Sequence, residues 1–156
     1  MARSVGREFS VVMATIRLIN AGVFDRHPTL TVHMSHLGGG LAALLGRIRS
    51  YQDKDFWGTA DNTRHGKTPQ REFDHYLRHN MVFDTAGFCG AMGAITGALI
   101  EIPASRIVFA TDYPQEIRER AAVRDFVTEL RALGKDGEAI LSGNANKLLK
   151  RPARAA

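Results

Sequence analysis

Leu30-Thr31-Val32-His33-Met34-Ser35-His36-Leu37-Gly38-Gly39-Gly40 is the stretch on which the reading of the fold turns. Its first half is mostly apolar and β-branched, the composition of a buried strand. The three glycines end that strand, permit a tight turn and let a ligand approach the backbone. Leu41, Leu44, Leu45 and Ile48 then recur at helical spacing. A strand that passes through a glycine turn into a helix is the repeating unit of parallel α/β architecture.

Working outward, the unit recurs. Met81-Val82-Phe83 reads as a second strand, followed by a small-residue helix over 91–100 in which Gly90, Gly93 and Gly97 should let neighbours approach closely. Arg106-Ile107-Val108-Phe109-Ala110 reads as a third strand, ending in Thr111-Asp112-Tyr113-Pro114. The helix after it should bury Ile117, Val123, Phe126, Val127 and Leu130. Upstream, Phe9, Val12, Met13, Ile16, Ile19 and Val23 form the apolar stripe of an amphipathic helix, with Glu8, Arg17 and Asn20 on its other side. Pro28 breaks that helix. Phe73, Tyr76 and Leu77 mark a short helix, and a turn over 138–141 should stop at Gly143, where Asn144 caps a last helix. The span from Tyr51 to Pro69 has no periodicity and reads as a long loop.

The resulting order is helix, three strand–helix units, then terminal helices. It predicts one α/β domain over residues 1–150, with parallel strands and right-handed crossovers, and a flexible tail over 151–156. A chain of 156 residues fits one domain. It falls short of the roughly 250 residues of a full (β/α)8 barrel.

Composition excludes several classes. An apolar fraction of 44% and a charged fraction of 24% exclude a disordered chain. The net charge of +5 is scattered, apart from Lys147, Lys150, Arg151 and Arg154, and no base-reading motif accompanies it. No nucleic-acid partner is therefore expected; a basic surface that favours anionic substrates is. The single cysteine, Cys89, excludes an internal disulfide framework and reads as packing in a reducing cytoplasm. Charges at Arg3, Arg7, Glu8 and Arg17 interrupt any signal sequence, and the uncharged run over 85–100 is too short to span a membrane.

In parallel α/β folds, functional groups gather at the carboxyl ends of strands. His36 and Asp112 both fall there. His36, beside three glycines and a helix start, suits proton handling, whereas an isolated histidine would read as a satisfied core group. Asp112 suits metal binding or base chemistry, against the simpler reading of a turn before Pro114. Asp84 is a weaker candidate, His33 reads as structural, and Arg64, His65 and Lys67 could line a pocket. Gly38, Gly40 and Ala43 fit a relaxed dinucleotide fingerprint, but no second strand ending in an acidic residue follows.

Taken together, Gly22-Val23-Phe24-Asp25-Arg26-His27-Pro28, His36-Leu37-Gly38-Gly39-Gly40-Leu41 with Gly46-Arg47, Phe83-Asp84-Thr85-Ala86-Gly87, Phe109-Ala110-Thr111-Asp112-Tyr113-Pro114 and Gly143-Asn144-Ala145 resemble the second amidohydrolase family. That family holds metal-dependent hydrolases and decarboxylases, including the aminocarboxymuconate-semialdehyde type. The resemblance implies the C-terminal portion of a (β/α)8 TIM barrel, with about its last three strand–helix units. It implies that Asp112 is a metal ligand, that His36 is the catalytic histidine, and that Arg47 reaches a substrate carboxylate across a dimer interface. It also implies a divalent cation, zinc foremost, and a homodimer or other oligomer.

The chain contains no His-x-His pair, which in the family supplies metal ligands. The expectation is thus a metal-dependent decarboxylase or hydrolase of a small aromatic or enolic carboxylic acid, held here as a fragment. The competing expectation is a non-catalytic remnant that folds or associates without metal chemistry.

Overall fold

The computed structural model describes residues 1–52 and 69–150. The tail over 151–156 and most of the span read as a long loop, with Arg64, His65 and Lys67, lie outside the described residues. The three strands are β1 (Val32–Met34), β2 (Met81–Asp84) and β3 (Ile107–Val108). They form one parallel sheet in the order β1-β2-β3, with Val32 opposite Met81 and Phe83 opposite Ile107. β2 is central and buried along its whole length, as an apolar strand covered on both faces must be.

Helices α1 (Arg7–Asn20), α2 (Val23–Arg26), α4 (Leu45–Gln52), α5 (Phe73–His79), α6 (Met92–Glu101), α7 (Arg120–Arg131), α8 (Lys135–Glu138) and α9 (Asn144–Leu148) surround the sheet. Between β1 and α4 lies α3 (His36–Gly40), a turn of the opposite hand in which every residue has a positive φ. The alternation of strand and helix matches the α/β order expected from sequence. No helix among the described residues is long and apolar enough to cross a membrane.

α1 buries Val12, Thr15 and Ile19 along one line. Phe9, expected on that face, is 63% exposed. The reason is angular: successive steps of four, three and four residues run Glu8–Val12–Thr15–Ile19, so Glu8 occupies the place expected of Phe9. Tyr51 belongs to α4 and not to a loop. The layer of helices is tied by Arg49, whose guanidinium bonds Asp74 of α5 at 2.8 Å and Glu101 of α6 at 2.6 Å.

The Asp25 carboxylate of the Val-Phe-Asp-Arg segment accepts a hydrogen bond from the Tyr76 hydroxyl at 2.6 Å. Burial, together with that bond, pushes the Tyr76 phenol up to about 12. The motif is therefore explained by a contact between α2 and α5.

Several local readings need correction. Gly90, Gly93 and Gly97 have nothing near the position of a Cβ. Gly93 and Gly97 instead line an open apolar hollow of about 440 Å³ shared with Leu37 and Phe88. Ile117 precedes α7 and is 86% exposed. Gly143 does not stop a helix: its φ of −58° is helical, and α8 continues through a π turn over Ala139–Gly143 into α9.

Asn144 is not a cap. Its amide is buried and donates to the carbonyls of Ala104 at 2.7 Å and Ile107 at 2.8 Å. With Phe109 N–H donating to Ile140 O, this fastens the C-terminal helical segment to β3. Asn144→Ala, which leaves two inward carbonyls without that donor, is expected to lower the unfolding free energy by about 1–3 kcal/mol. Lys147→Ala on the exposed side of α9 should change it by less than about 0.5 kcal/mol in the same urea titration.

Candidate active site

His36 lies two residues past the end of β1 and Asp112 four past the end of β3, so both lie at the carboxyl end of the sheet. Both are non-glycine residues with positive φ, 58° for His36 and 64° for Asp112. A side chain held there costs of order 1–3 kcal/mol and persists only where its surroundings over-determine it.

For His36 those surroundings are visible. The Asp84 carboxylate at the end of β2 accepts the His36 backbone N–H at 2.8 Å and the Ala86 N–H at 3.0 Å through the same oxygen. Its other oxygen meets His33 Nε2 at 2.9 Å. Asp84 thus clamps the entry to the left-handed turn, and His33, read as structural, is its side-chain partner and its counter-charge when protonated. Gly38 and Gly39 complete the turn. A Cβ at Gly38 would press on the Phe83 ring at 3.0 Å, and one at Gly39 would overlap the backbone carbonyl of Glu8 in α1.

That close approach brings α1 to the site. Glu8 Oε1 lies 2.8 Å from His36 Nδ1, while His36 Nε2 lies 3.5 Å from Asp112 Oδ2. The latter distance allows charge attraction but makes no hydrogen bond; Asp112 Oδ2 and Glu8 Oε2 are both buried without one. Arg7 pairs with Glu8 Oε1 at 3.2 Å and has a longer contact of 3.4 Å with His36 Nδ1. Arg7, Glu8, His36, Phe88, Asp112 and Glu116 line a cavity of about 540 Å³.

The structure therefore brings His36 and Asp112 together. Arg47 is not among the residues lining their cavity: it is exposed, bonds the Tyr51 hydroxyl at 2.9 Å and lies over the same ring. Glu8 and Arg7 are the residues that sequence reasoning missed. The available signal was spacing, since Glu8 stands four residues before Val12 on the face that is buried. Cys89 is buried in the core, which pushes its thiol upward, in keeping with a packing role.

Among the described residues no group of three or more His, Cys, Asp or Glu side chains is arranged to hold a metal. Glu8 and Asp112 face opposite nitrogens of one imidazole, so their carboxylates do not converge on a common point. Asp112 Oδ2 is free to serve as one donor. A complete cation site needs donors from outside the described residues, because catalytic zinc sites use about three protein ligands.

The chain belongs to the amidohydrolase family, whose model matches residues 10–151. It is 31% identical over 135 residues to the gamma-resorcylate decarboxylase of Polaromonas sp., covering 86% of this chain and 39% of that protein. Its fold matches 2,6-dihydroxybenzoate decarboxylase from Rhizobium with a TM-score of 0.74 and 29% identity, covering 89% of this chain and 40% of that one. The dihydroxybenzoic acid decarboxylase of Polaromonas sp., crystallised with manganese and 2-nitroresorcinol, matches equally well by TM-score, 0.74 at 29% identity, over 89% of this chain and 39% of its own. The chain thus spans about two fifths of the length of these relatives, and its sheet is a partial barrel.

The Asp84–His33 pair gives the fold a defined pH response. Burial raises the Asp84 carboxyl, but hydrogen bonds from His33, His36 N–H and Ala86 N–H outweigh it and leave the group below the ordinary range. The bond to Asp84 holds His33 above its usual value. A lowered carboxyl stabilises above about pH 4 and loses that contribution as pH falls through its folded value. A raised histidine stabilises below about pH 6.5 and loses its contribution as pH climbs through its folded value. The urea midpoint should therefore fall between about pH 6 and pH 9, and His33→Gln should flatten that fall.

Proposed function

We propose that this chain supplies the His36–Asp112 part of an active site that decarboxylates a small aromatic carboxylic acid of the dihydroxybenzoate kind. The observation that carries the reading is the meeting of His36 Nε2 and Asp112 Oδ2 at 3.5 Å on the carboxyl end of the sheet, at the wall of a cavity. Decarboxylase relatives over most of this chain support the reaction class, and a manganese-bound relative supports a divalent cation.

His36 has the chemistry for the proton step. When carbon dioxide leaves, the electrons of the broken C–C bond remain on the ring carbon, and that carbon takes a proton from Nε2. The imidazole then returns to its neutral form. A divalent cation, manganese or zinc, is proposed with Asp112 as one donor and the others from outside the described residues. Arg47 is proposed as the anchor for the substrate carboxylate of a neighbouring subunit in a homodimer or other oligomer. Its exposure and the absence of a carboxylate partner among the described residues support that role. A hydrolase of the same acids uses the same groups.

The absence of three convergent donors among the described residues favours a second reading, a non-catalytic remnant. One pair of measurements separates the two. The purified chain is titrated with Mn²⁺ and with Zn²⁺ by calorimetry, then assayed for carbon dioxide release from 2,6-dihydroxybenzoate. On the catalytic reading Asp112→Ala loses cation binding, and His36→Asn lowers kcat/KM by about 10²–10⁴-fold. No binding at micromolar cation and no carbon dioxide would sink that reading and leave the remnant. Arg47→Ala should raise KM and leave kcat largely unchanged, the mark of lost ground-state binding.

A further inference from the structure

We propose that Glu8 is a positioning residue for His36: its carboxylate accepts the Nδ1–H of the imidazole and so leaves Nε2 as the atom that faces Asp112 and the cavity. The inference rests on the reading of His36 as the proton-handling group, and Glu8 precedes the residues matched by the family model.

The geometry decides the tautomer. The 2.8 Å separation between Glu8 Oε1 and His36 Nδ1 is that of a charge-assisted hydrogen bond. A carboxylate only accepts, so the proton resides on Nδ1. Arg7 Nη2 competes for the same nitrogen from 3.4 Å, which would require Nδ1 to be an acceptor; at that length the contact is the weaker one. Arg7 is instead engaged with Glu8 Oε1 at 3.2 Å, which holds the carboxylate against the ring.

The ring has little freedom to escape this arrangement. The His36 side chain is 7% exposed, and its atoms lie 3.6 Å from where a Cβ on Gly87 would stand, so a larger residue would crowd that side. Turning the ring over would exchange a nitrogen for a carbon opposite both Glu8 and Asp112. An imidazole whose second nitrogen is fixed by a carboxylate has a defined tautomer, orientation and counter-charge when Nε2 becomes protonated. Glu8 also has what such a role needs energetically: its side chain is 19% exposed, and Oε2 is buried without a partner. The basic groups that face it are Arg7 and the His36 ring.

The test reads the tautomer directly and needs neither substrate nor cation. Long-range ¹H–¹⁵N spectra of the full chain are recorded at about pH 8, well above the ordinary histidine value of about 6.5. The His36 ring signals are identified by their loss in His36→Gln. The expected result is a protonated, pyrrole-like Nδ1; a pyridine-like Nδ1 in the wild-type chain overturns the proposal without any variant. In Glu8→Ala, Nδ1 should shift to the pyridine-like range, since Arg7 is then the group that faces it. An unchanged Nδ1 in a folded Glu8→Ala chain would overturn the proposal equally. Should that variant fail to fold, the wild-type spectrum decides. Loss of decarboxylation with the tautomer intact would count against the proposed reaction and not against Glu8.

Discussion

The hydrogen bond from the His36 backbone to Asp84 is the contact on which the rest of the site depends. It fixes the first residue of a turn that runs with positive φ from His36 to Gly40. His36 and Leu37 pay a steric cost in that conformation and the glycines do not. Asp84 offsets the cost by binding two backbone N–H groups at once, and the hydrogen bonds from His33 and from those groups hold its carboxyl below the ordinary range. Because the turn carries no side chain at Gly39, α1 can lie against it, and only then does Glu8 reach the imidazole. A single buried carboxylate thus couples strand, turn and first helix.

The same economy explains why the site is electrostatically uneven. Glu8, Asp112 and Glu116 line a cavity in which Arg7 is the one permanent cation among the described lining residues, and Arg118 pairs with Glu116 at 2.6 Å. Two buried carboxylate oxygens, on Glu8 and Asp112, make no hydrogen bond. Each such group costs at least about 1–3 kcal/mol of desolvation. A fold retains that cost most readily where a proton or a cation meets the oxygens during function. His36 stands between them and can carry the proton.

The sheet was legible because apolar, β-branched runs have few other uses, and His36 and Asp112 were legible because strand ends are where such folds keep their chemistry. Glu8 was not, since a helical wheel drawn from hydrophobicity assigns every charge to the outside. Its burial is decided by Gly39, thirty-one positions away, and no local pattern carries that information. Asn144 misled for the opposite reason: a residue after glycine looks like a cap, whereas its partners are carbonyls of Ala104 and Ile107, distant in sequence. Gly93 and Gly97 likewise suggested close packing, and the structure gives them an open hollow.

Arg47 and Arg49 lie two positions apart on α4, yet only one of them can answer an incoming anion. Arg49 is held by two carboxylates, Asp74 and Glu101, each at hydrogen-bond distance. Withdrawing it would separate α4 from α5 and α6 and leave two acids unpaired. Arg47 is held by a hydroxyl and a ring four residues along its own helix, at an exposed position. Exposed contacts of that kind contribute about 0.5–1 kcal/mol, so a bidentate carboxylate can displace them. Arg47 is not among the residues that line the cavity around His36, so the anchor role proposed for it is one played toward a neighbouring subunit. The anchor role proposed for Arg47 therefore carries a condition of its own: an interface that presents this helix surface to a neighbour's cavity.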